Sequence, residues 1–243
     1  MNAPAAPTQS GEPRESEAAA EESPATVPQT EGVRAKPTRL DRRRDRTRRA
    51  LLDAARAIMA ERGTSEVSIQ EITERADVGF GSFYNHFGTK TELFEAAVGE
   101  VLEEHGQLLD QVTAGIDDPA EAFALSVRAT ARLATERPAI AQVLVRAGLD
   151  YLVADDGLAP RALRDIERAV AAGRFTVTTP FLAVVSTTGC LMAHLHVRLH
   201  APHLVGPEAD EELAESLLRM LGMDPADARE IAHRPLPGTL EDR

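Results

Sequence analysis

The chain has 243 residues, a length that accommodates one or two domains with a sizeable buried core. Tryptophan is absent and aromatic residues make up 4% of the sequence, so the core must consist mainly of Leu, Val, Ile and Ala. This composition favours helices and argues against an all-β sandwich. The single cysteine, Cys190, excludes an intramolecular disulfide, and no charged and then apolar leader opens the sequence. A reducing cytoplasm is therefore the expected location.

Charge is distributed unevenly along the chain. The formal net charge is −12, which argues against a protein that is basic over its whole surface. Between Arg34 and Arg49, however, nine basic residues accompany only two acidic ones. This run indicates either a solvated helix start or an arm that seeks phosphates, and the sequence alone favours neither.

The first 37 residues differ in composition from the rest. They are rich in Pro, Ala, Glu, Ser and Thr and hold almost no large apolar side chains, so residues 1–37 are predicted to form a disordered tail. The acidic half of this tail is either a weak electrostatic competitor for DNA or a tolerated extension. Residues 236–243 are predicted to form a second, short tail.

Four helices are predicted between residues 41 and 100. The first, over 41–62, follows from Leu51, Ala54, Ala55, Ile58 and Met59 at the spacing of one helix face, with Gly63 as a stop. Ser68 and Glu71 have the spacing of a capping box and predict a short helix over 68–76, and a tight connection leads to another over 79–86. Thr89 and Glu92 repeat the capping spacing before a long fourth helix. Two short helices joined by a tight turn indicate a helix-turn-helix.

The remainder is predicted to be helical as well, over 119–136, 138–154, 159–172, 180–200 and 208–221. The fold class is therefore all-α with about nine helices. Residues 174–188 alternate in a strand-like way, but a lone strand would have no partner, so a loop followed by a helix is expected. The apolar run 181–195 is too short and too interrupted to span a membrane, and no membrane partner is predicted. The helices near 180–200 and 208–221 suit either a homodimer interface or an ordinary core.

The segment "SIQEITERADVGFGSFYNHFGTKTELF", together with the helix before it, resembles the DNA-binding domain of the TetR family of bacterial transcriptional regulators. The positions that carry the resemblance are Gly63, Gly81, Tyr84, His86, Phe87, Lys90, Leu93 and Phe94. The resemblance implies a three-helix helix-turn-helix domain over 38–88 and a helical effector-binding and dimerisation domain over 89–235. It also implies a homodimer on a palindromic operator of double-stranded DNA, an unidentified small-molecule effector and, as for most members, repression of transcription.

Candidate DNA contacts follow from the motif. A recognition helix points its N-terminal residues at base edges, so Gly79, Phe80, Gly81 and Ser82 are expected to approach the DNA most closely. Phe80 departs from the family pattern, and its ring is expected either to touch a thymine methyl group or to fold back on its neighbours. The resemblance implies phosphate contacts for Tyr84 and Lys90. The remaining candidates are Asn85, His86 and, as a helix cap that also donates to phosphate, Ser68. Phe83, Phe87, Leu93 and Phe94 are expected to form the core beneath this surface.

Other functional sites are predicted less directly. Candidate effector contacts are the polar or aromatic residues His105, Phe123, Arg146 and Tyr151. His196 and His200 have the spacing of a helical metal pair, but no carboxylate or cysteine joins their face, so no metal site and no cofactor are predicted. No nucleophile elbow, phosphate-cradling loop or zinc-protease motif occurs, and the chain is not expected to be an enzyme.

Two rival functions remain open on the sequence alone. One is an architectural DNA-binding protein without an effector. The other is a helical small-molecule-binding protein that lacks sequence-specific DNA binding. For the first, a ligand screen by thermal shift would find no ligand. For the second, the affinity for DNA would be weak on every sequence.

Overall fold

The computed structural model describes residues 38–63, 67–153 and 157–235, and this part of the chain contains ten α-helices and no strand. The helices are α1 (Arg39–Arg62), α2 (Ile69–Arg75), α3 (Phe80–Phe83), α4 (Lys90–Val112), α5 (Pro119–Glu136), α6 (Pro138–Ala147), α7 (Leu158–Ala171), α8 (Pro180–His200), α9 (Ala209–Met220) and α10 (Pro225–Ala232). Two short 3-10 helices, Asp150–Val153 and Pro202–Leu204, lie between them. The predicted all-α fold is confirmed.

The first core lies beneath the helix-turn-helix and continues into the rest of the chain. Leu51, Ile58, Phe83 and Leu93 are completely buried in it. The same cluster includes Leu102 of α4 and apolar side chains of α5, α6 and α8. The DNA-binding helices therefore pack directly on the first layer of the C-terminal helices, and α4 runs through both.

Local hydrogen bonds set the ends of the early helices. Thr38 and Asp41 form a reciprocal capping box at the start of α1, and Gly63 ends the helix with a φ of +83°. Ser68 caps α2 as predicted, because its hydroxyl accepts the Glu71 amide hydrogen at 3.1 Å. The Glu71 carboxylate pairs with Arg62 instead of completing a box.

The second core holds the C-terminal helices together. It is built from α5 and α7–α10, with Ile166, Val184 and Leu218 completely buried. Asp224 caps α10 by accepting the Ala226 amide hydrogen at 2.8 Å, and Pro225 occupies the first turn, where its missing N–H costs nothing. No helix was predicted after residue 221, so α10 was missed.

Several predicted boundaries were wrong. The helix predicted over 138–154 ends at Ala147, because Gly148 adopts a φ of +73° that breaks the helix. The helix predicted over 79–86 is regular only over Phe80–Phe83 and continues as turns. The predicted tails, 1–37 and 236–243, lie outside the described residues.

Helix α8 is long and apolar enough to cross a membrane by length and composition, a test that core helices also pass. Ala183, Val184, Thr187 and Leu195 bury one side of it against neighbouring helices. Only 22% of an apolar 18-residue stretch of this helix is buried by the rest of the chain. An apolar face of α8 is therefore left uncovered in the single protomer.

Candidate nucleic-acid interface and ligand cavity

The segment around α3 divides into a buried side and an exposed side. Phe83 is fully buried and Phe87 is 3% exposed, as expected for residues that fix the segment to the core. Gly79, Gly81 and Asn85 are exposed, and Ser82 and His86 are half-buried. The candidate DNA contacts of this segment thus share one accessible surface above a fixed aromatic base.

Two exposed rings, Phe80 and Tyr84, meet on this surface above the buried ring of Phe83. The Phe80 and Tyr84 rings meet edge to face with centroids 5.8 Å apart, and Tyr84 meets Phe83 in the same way at 5.4 Å. Phe80 nevertheless remains 53% exposed and Tyr84 54% exposed. Phe80 therefore leans on its neighbour while still presenting apolar surface at the start of α3.

Two helix N-termini converge near Lys90. Its Nζ donates to the Val67 carbonyl at 3.1 Å, directly before the Ser68 cap of α2. At the start of α4, Thr89 accepts the Glu92 amide hydrogen, and the Glu92 carboxylate accepts that of Gly88 at 2.7 Å. A cation beside two helix starts is an arrangement suited to a phosphate.

Arginines of α1 lie beside the end of the α3 segment. The Arg48 guanidinium carbon is 5.3 Å from the centroid of the Phe87 ring, a cation–π contact. Burial, followed by the positive charges of Arg44 and Arg48, lowers the pKa of His86. A neutral His86 both donates and accepts hydrogen bonds, which suits a contact to DNA.

Ion pairs and hydrogen bonds tie the DNA-binding helices to the C-terminal ones. Arg56 of α1 bonds Glu100 and Glu104 of α4 at 2.9 and 2.8 Å. Arg146 of α6 donates to the carbonyls of Met59 and Glu61 in the last turn of α1. These contacts connect α1 to both α4 and α6.

A cavity of about 100 Å³ lies between α4, α5, α7 and α8. Its walls are mostly apolar, with Phe123, Leu144, Leu191 and Met192 among them. An apolar cavity of about 150 Å³ is enough to hold benzene, so this smaller space admits at most one small ring. Polar side chains occupy its ends.

The polar end is an ion-pair network between α4 and α7. Arg161 pairs bidentately with Glu103, both contacts being 2.8 Å, and its Nε donates to Asp110 at 3.1 Å. Arg164 links the Asp110 and Asp165 carboxylates at 3.2 and 3.0 Å. Hydrogen bonds from Arg161, and then from Gln107, lower the pKa of Glu103. Asp110, Arg161 and Asp165 all line the cavity.

Gly106 permits the close approach of α7 to α4. A Cβ atom at this position would lie 2.8 Å from Arg161 Nη1 and 3.1 Å from Arg161 Cζ. A larger residue requires the Arg161 guanidinium, the end of a long side chain, to move from this position. The glycine thus leaves room for the observed contacts of Arg161.

Hydroxyl groups supply further polar contacts. Thr130 donates to the Ser126 carbonyl at 2.8 Å, so the His105 ring must donate its Nε2 hydrogen to Thr130 Oγ1 at 3.0 Å. Burial and, secondarily, the charge of Arg137 lower the pKa of His105 to about 4. The Thr187 hydroxyl also lines the cavity, is buried and has no hydrogen-bond partner among the described residues. A buried hydroxyl of this kind is available to a polar ligand.

The structure places the four predicted effector residues differently from one another. Phe123 lines the cavity, whereas His105 lies behind it and orients Thr130. Arg146 is outside the cavity lining and caps α1. The side chain of Tyr151 is outside the described residues. Asp110, Arg161, Asp165 and Thr187 were missed, because only the packing of α4, α7 and α8 brings them to one cavity.

The C-terminal histidines have separate environments. His194 Nε2 bonds the buried Asp210 carboxylate at 2.8 Å. The rings of His196 and His200 stack with centroids 4.4 Å apart, and His200 Nδ1 bonds the His196 carbonyl at 2.9 Å. Within the described residues no group of three potential metal ligands occurs.

Two family models match the chain. Residues 51–97 match "Bacterial regulatory proteins, tetR family", and residues 118–234 match "Tetracyclin repressor-like, C-terminal domain". Curated relatives match mainly in the N-terminal part. KstR, a repressor of Mycolicibacterium smegmatis, is 28% identical over 100 residues, 41% of this chain and 49% of KstR. Rv3405c, a repressor of Mycobacterium tuberculosis, is 39% identical over 69 residues, 28% of this chain and 35% of that protein. The matches thus span only about a third to a half of these relatives.

Solved structures match over most of the chain. The crystal structure of RolR in complex with its ligand resorcinol is 40% identical, with a TM-score of 0.67, and the match covers 81% of this chain and 98% of RolR. A regulator from Haemophilus influenzae shares the fold at 18% identity and a TM-score of 0.58, covering 73% of this chain and 97% of its own. The match to RolR includes both the DNA-binding and the C-terminal helices.

Proposed function

Because the chain belongs to the TetR family of bacterial transcriptional regulators, we propose that it represses transcription from a palindromic operator, which it binds as a homodimer. A small-molecule effector in the cavity releases it. Residues 38–88 act as the DNA-binding domain and residues 89–235 as the effector-binding and dimerisation domain. The observation that carries this proposal is that one helix, α4, begins at the DNA-facing Lys90 and reaches the cavity at Asp110.

The exposed surface of α3 enters the major groove. Gly79, Phe80, Gly81 and Ser82 approach the base edges, and the Phe80 ring offers apolar contact to a thymine methyl group. The phosphate contacts come from Ser68, Tyr84 and Lys90, with Asn85 and His86 at the margin. These roles are supported by exposure on a common surface and by the two helix N-termini at Lys90.

The effector is a small aromatic molecule with hydroxyl groups. The cavity admits at most one small ring, its walls are mostly apolar, and its polar end offers carboxylate acceptors beside guanidinium donors. A phenolic hydroxyl both donates to a carboxylate such as Asp110 and accepts from Arg161. A second hydroxyl finds the unpartnered Thr187. RolR, at 40% identity, holds resorcinol, a molecule of this kind.

Effector binding acts on α4. A hydroxyl at the polar end competes with the Arg161–Asp110 contact that joins α7 to α4 at 3.1 Å. A ligand shifts the equilibrium toward the arrangement of α4 that it binds better, by no more than its difference in affinity for the two arrangements. Since the start of α4 positions Lys90, a shift of this helix changes the spacing of the two α3 segments in a dimer. Because the half-sites lie about 34 Å apart, or a multiple of this, a small change in the spacing of the α3 segments weakens DNA binding.

The homodimer forms through α8 and α9. Leu182, Gly189, Ala193 and His196 are exposed and recur along one face of α8, and Met220 of α9 is 45% exposed. Small residues allow two copies of this face to approach closely, and a two-fold interface pairs the face with itself. The uncovered apolar surface of α8 supports this arrangement.

The test uses DNA fragments selected from the source genome and fluorescence anisotropy with and without resorcinol. We expect resorcinol to weaken operator binding by 5- to 150-fold, roughly the usual range for coupled sites. Asp110→Asn should keep the DNA affinity and lose the response, while Asp227→Asn, an exposed aspartate in α10, should behave as wild type. If the protein prefers no selected fragment over a scrambled duplex, the proposed operator recognition is wrong. If its affinity for the operator is unchanged by resorcinol, the proposed effector is wrong.

A further inference from the structure

The first three turns of α1 form an arginine arm, defined as residues 39–49. The helix begins at the Thr38–Asp41 capping box, twelve residues before Leu51, the first buried residue of α1. Within the arm only Thr47 is even half-buried, and the exposed members include Arg39, Arg43 and Arg46. Packing in the core therefore does not account for this part of the helix.

The arm concentrates like charges at a cost. Arg39 and Arg43 are four residues apart and Arg43 and Arg46 three, spacings at which side chains are neighbours on one helix face. Like-charged neighbours of this kind destabilise an isolated helix. Among the described residues, no ion pair is recorded for these three arginines, whereas Arg48 pairs with Glu100 at 3.0 Å. A polyanion alongside the helix would remove the repulsion.

The arm is continuous with the DNA-facing surface. Arg44 and Arg48 lie close enough to His86 to lower its pKa, and Arg48 stacks on Phe87. Residues 39–43 extend beyond this contact at the N-terminal end of α1. The segment that matches the family's DNA-binding model begins at residue 51, so the arm lies outside the matched residues. Eleven helical residues span about 17 Å, which is the axial length of about five base pairs.

We propose that the arginine arm binds phosphates of the DNA duplex next to the base pairs that α3 contacts, and so supplies affinity that does not depend on base sequence. The inference rests on the proposed DNA-binding function, whose footprint it extends. Arg43 and Arg46 each neutralise one phosphate, and the local positive charge offsets the net charge of −12 that otherwise repels DNA.

The test compares R43Q/R46Q with R168Q/R229Q, which removes two exposed arginines from α7 and α10. Dissociation constants are measured on the operator and on a scrambled duplex of equal length, between 50 and 200 mM salt. Each lost phosphate contact lowers the slope of log K against log salt by about 0.9, so the arm variant should lose about 1.8 on both duplexes. The control should keep the wild-type slope.

The outcomes separate this inference from the proposed function. An arm variant with the same slope as the control would overturn the inference, and so would a loss of affinity confined to the operator, which indicates base reading instead. If wild type does not distinguish operator from scrambled duplex, the proposed function fails. The slope on the scrambled duplex still decides the role of the arm. Circular dichroism on thermal unfolding verifies that both variants fold.

Discussion

At the scale of single residues, His105 shows how the interior restricts protonation. Its side chain is 4% exposed, and the one recorded partner of its ring is the Thr130 hydroxyl. Thr130 uses its own hydrogen on the Ser126 carbonyl and therefore accepts from the imidazole. A neutral ring satisfies this arrangement. A second ring proton would give the imidazole a positive charge, and burying that charge costs free energy. This is the physical cause of the pKa near 4.

The free energy of unfolding should therefore decrease as the pH is lowered from about 6.5 toward 4. The unfolded chain takes up a proton at His105 below its ordinary pKa of about 6.5, while the folded chain does so only near 4. Stability from this group is complete above pH 6.5 and is lost as the pH falls toward 4. Between pH 7.5 and 5.0 the loss is about 2 kcal/mol. His105→Gln should reduce the measured pH dependence by about that amount in urea unfolding.

His203→Gln serves as the matched control, because His203 is exposed near the end of α8. Its unfolding free energy should follow the wild-type pH dependence. An equally steep pH dependence in His105→Gln would show that another group accounts for the loss.

At the scale of the helix, α4 connects the two functional regions, and its glycines test the connection. Gly106→Ala places a Cβ against the Arg161 guanidinium, which must leave its observed position beside Glu103 and Asp110. We expect effector affinity to fall by about tenfold, the equivalent of one lost polar contact. Calorimetry with resorcinol measures the affinity, and anisotropy measures operator binding without effector, which should stay close to wild type.

Gly99→Ala is the control within the same helix. A Cβ at Gly99 meets no atom within 4 Å, so this variant gains the helix propensity of alanine, about 1 kcal/mol, without touching Arg161. Gly99→Ala should be at least as stable as wild type in urea. Equal effector affinities in the two variants would argue against a role for the Arg161 network.

Sequence patterns were reliable where structure is local. The core face of α1, the caps at Ser68 and Thr89, and the extent of α8 follow from spacing and helix propensity, and the structure confirms them. The early end of α6 at Gly148 was missed, since a glycine inside a helical pattern ends the helix only when the surrounding contacts favour a positive φ. The residues predicted to contact DNA are exposed or half-buried, and their role stays a prediction.

The ligand cavity could not be predicted in this way. Asp110 and Arg161 are 51 residues apart in the sequence, and their contact depends on how α4 and α7 pack. Nothing in either helix alone distinguishes these residues from the many other charged residues of the chain. Arg146 likewise was expected at the cavity and instead caps α1, because the fold brings α6 against the end of that helix.

At the scale of the whole molecule, assembly determines whether the two DNA-facing surfaces act together. In the proposed complex each protomer contacts one half-site, and linking two protomers raises the effective affinity by roughly 10² to 10⁴-fold. The face of α8 that carries Gly189 and Ala193 is the proposed contact between protomers. Helix α8 contains no acidic residue, and a carboxylate introduced on this face would meet its own copy across the proposed contact.

Ala193→Asp should therefore separate the protomers, because two like charges would be buried close to the two-fold axis. Sedimentation velocity should change from dimer to monomer, and affinity for the complete operator should fall by about 100-fold or more, while affinity for one half-site is retained. Ala139→Asp, on the exposed first turn of α6, introduces the same charge at a helix N-terminus, where it is tolerated, and should remain a dimer. A dimeric Ala193→Asp protein would place the interface on another face. A monomer with undiminished affinity for the complete operator would show that the two half-sites are bound independently.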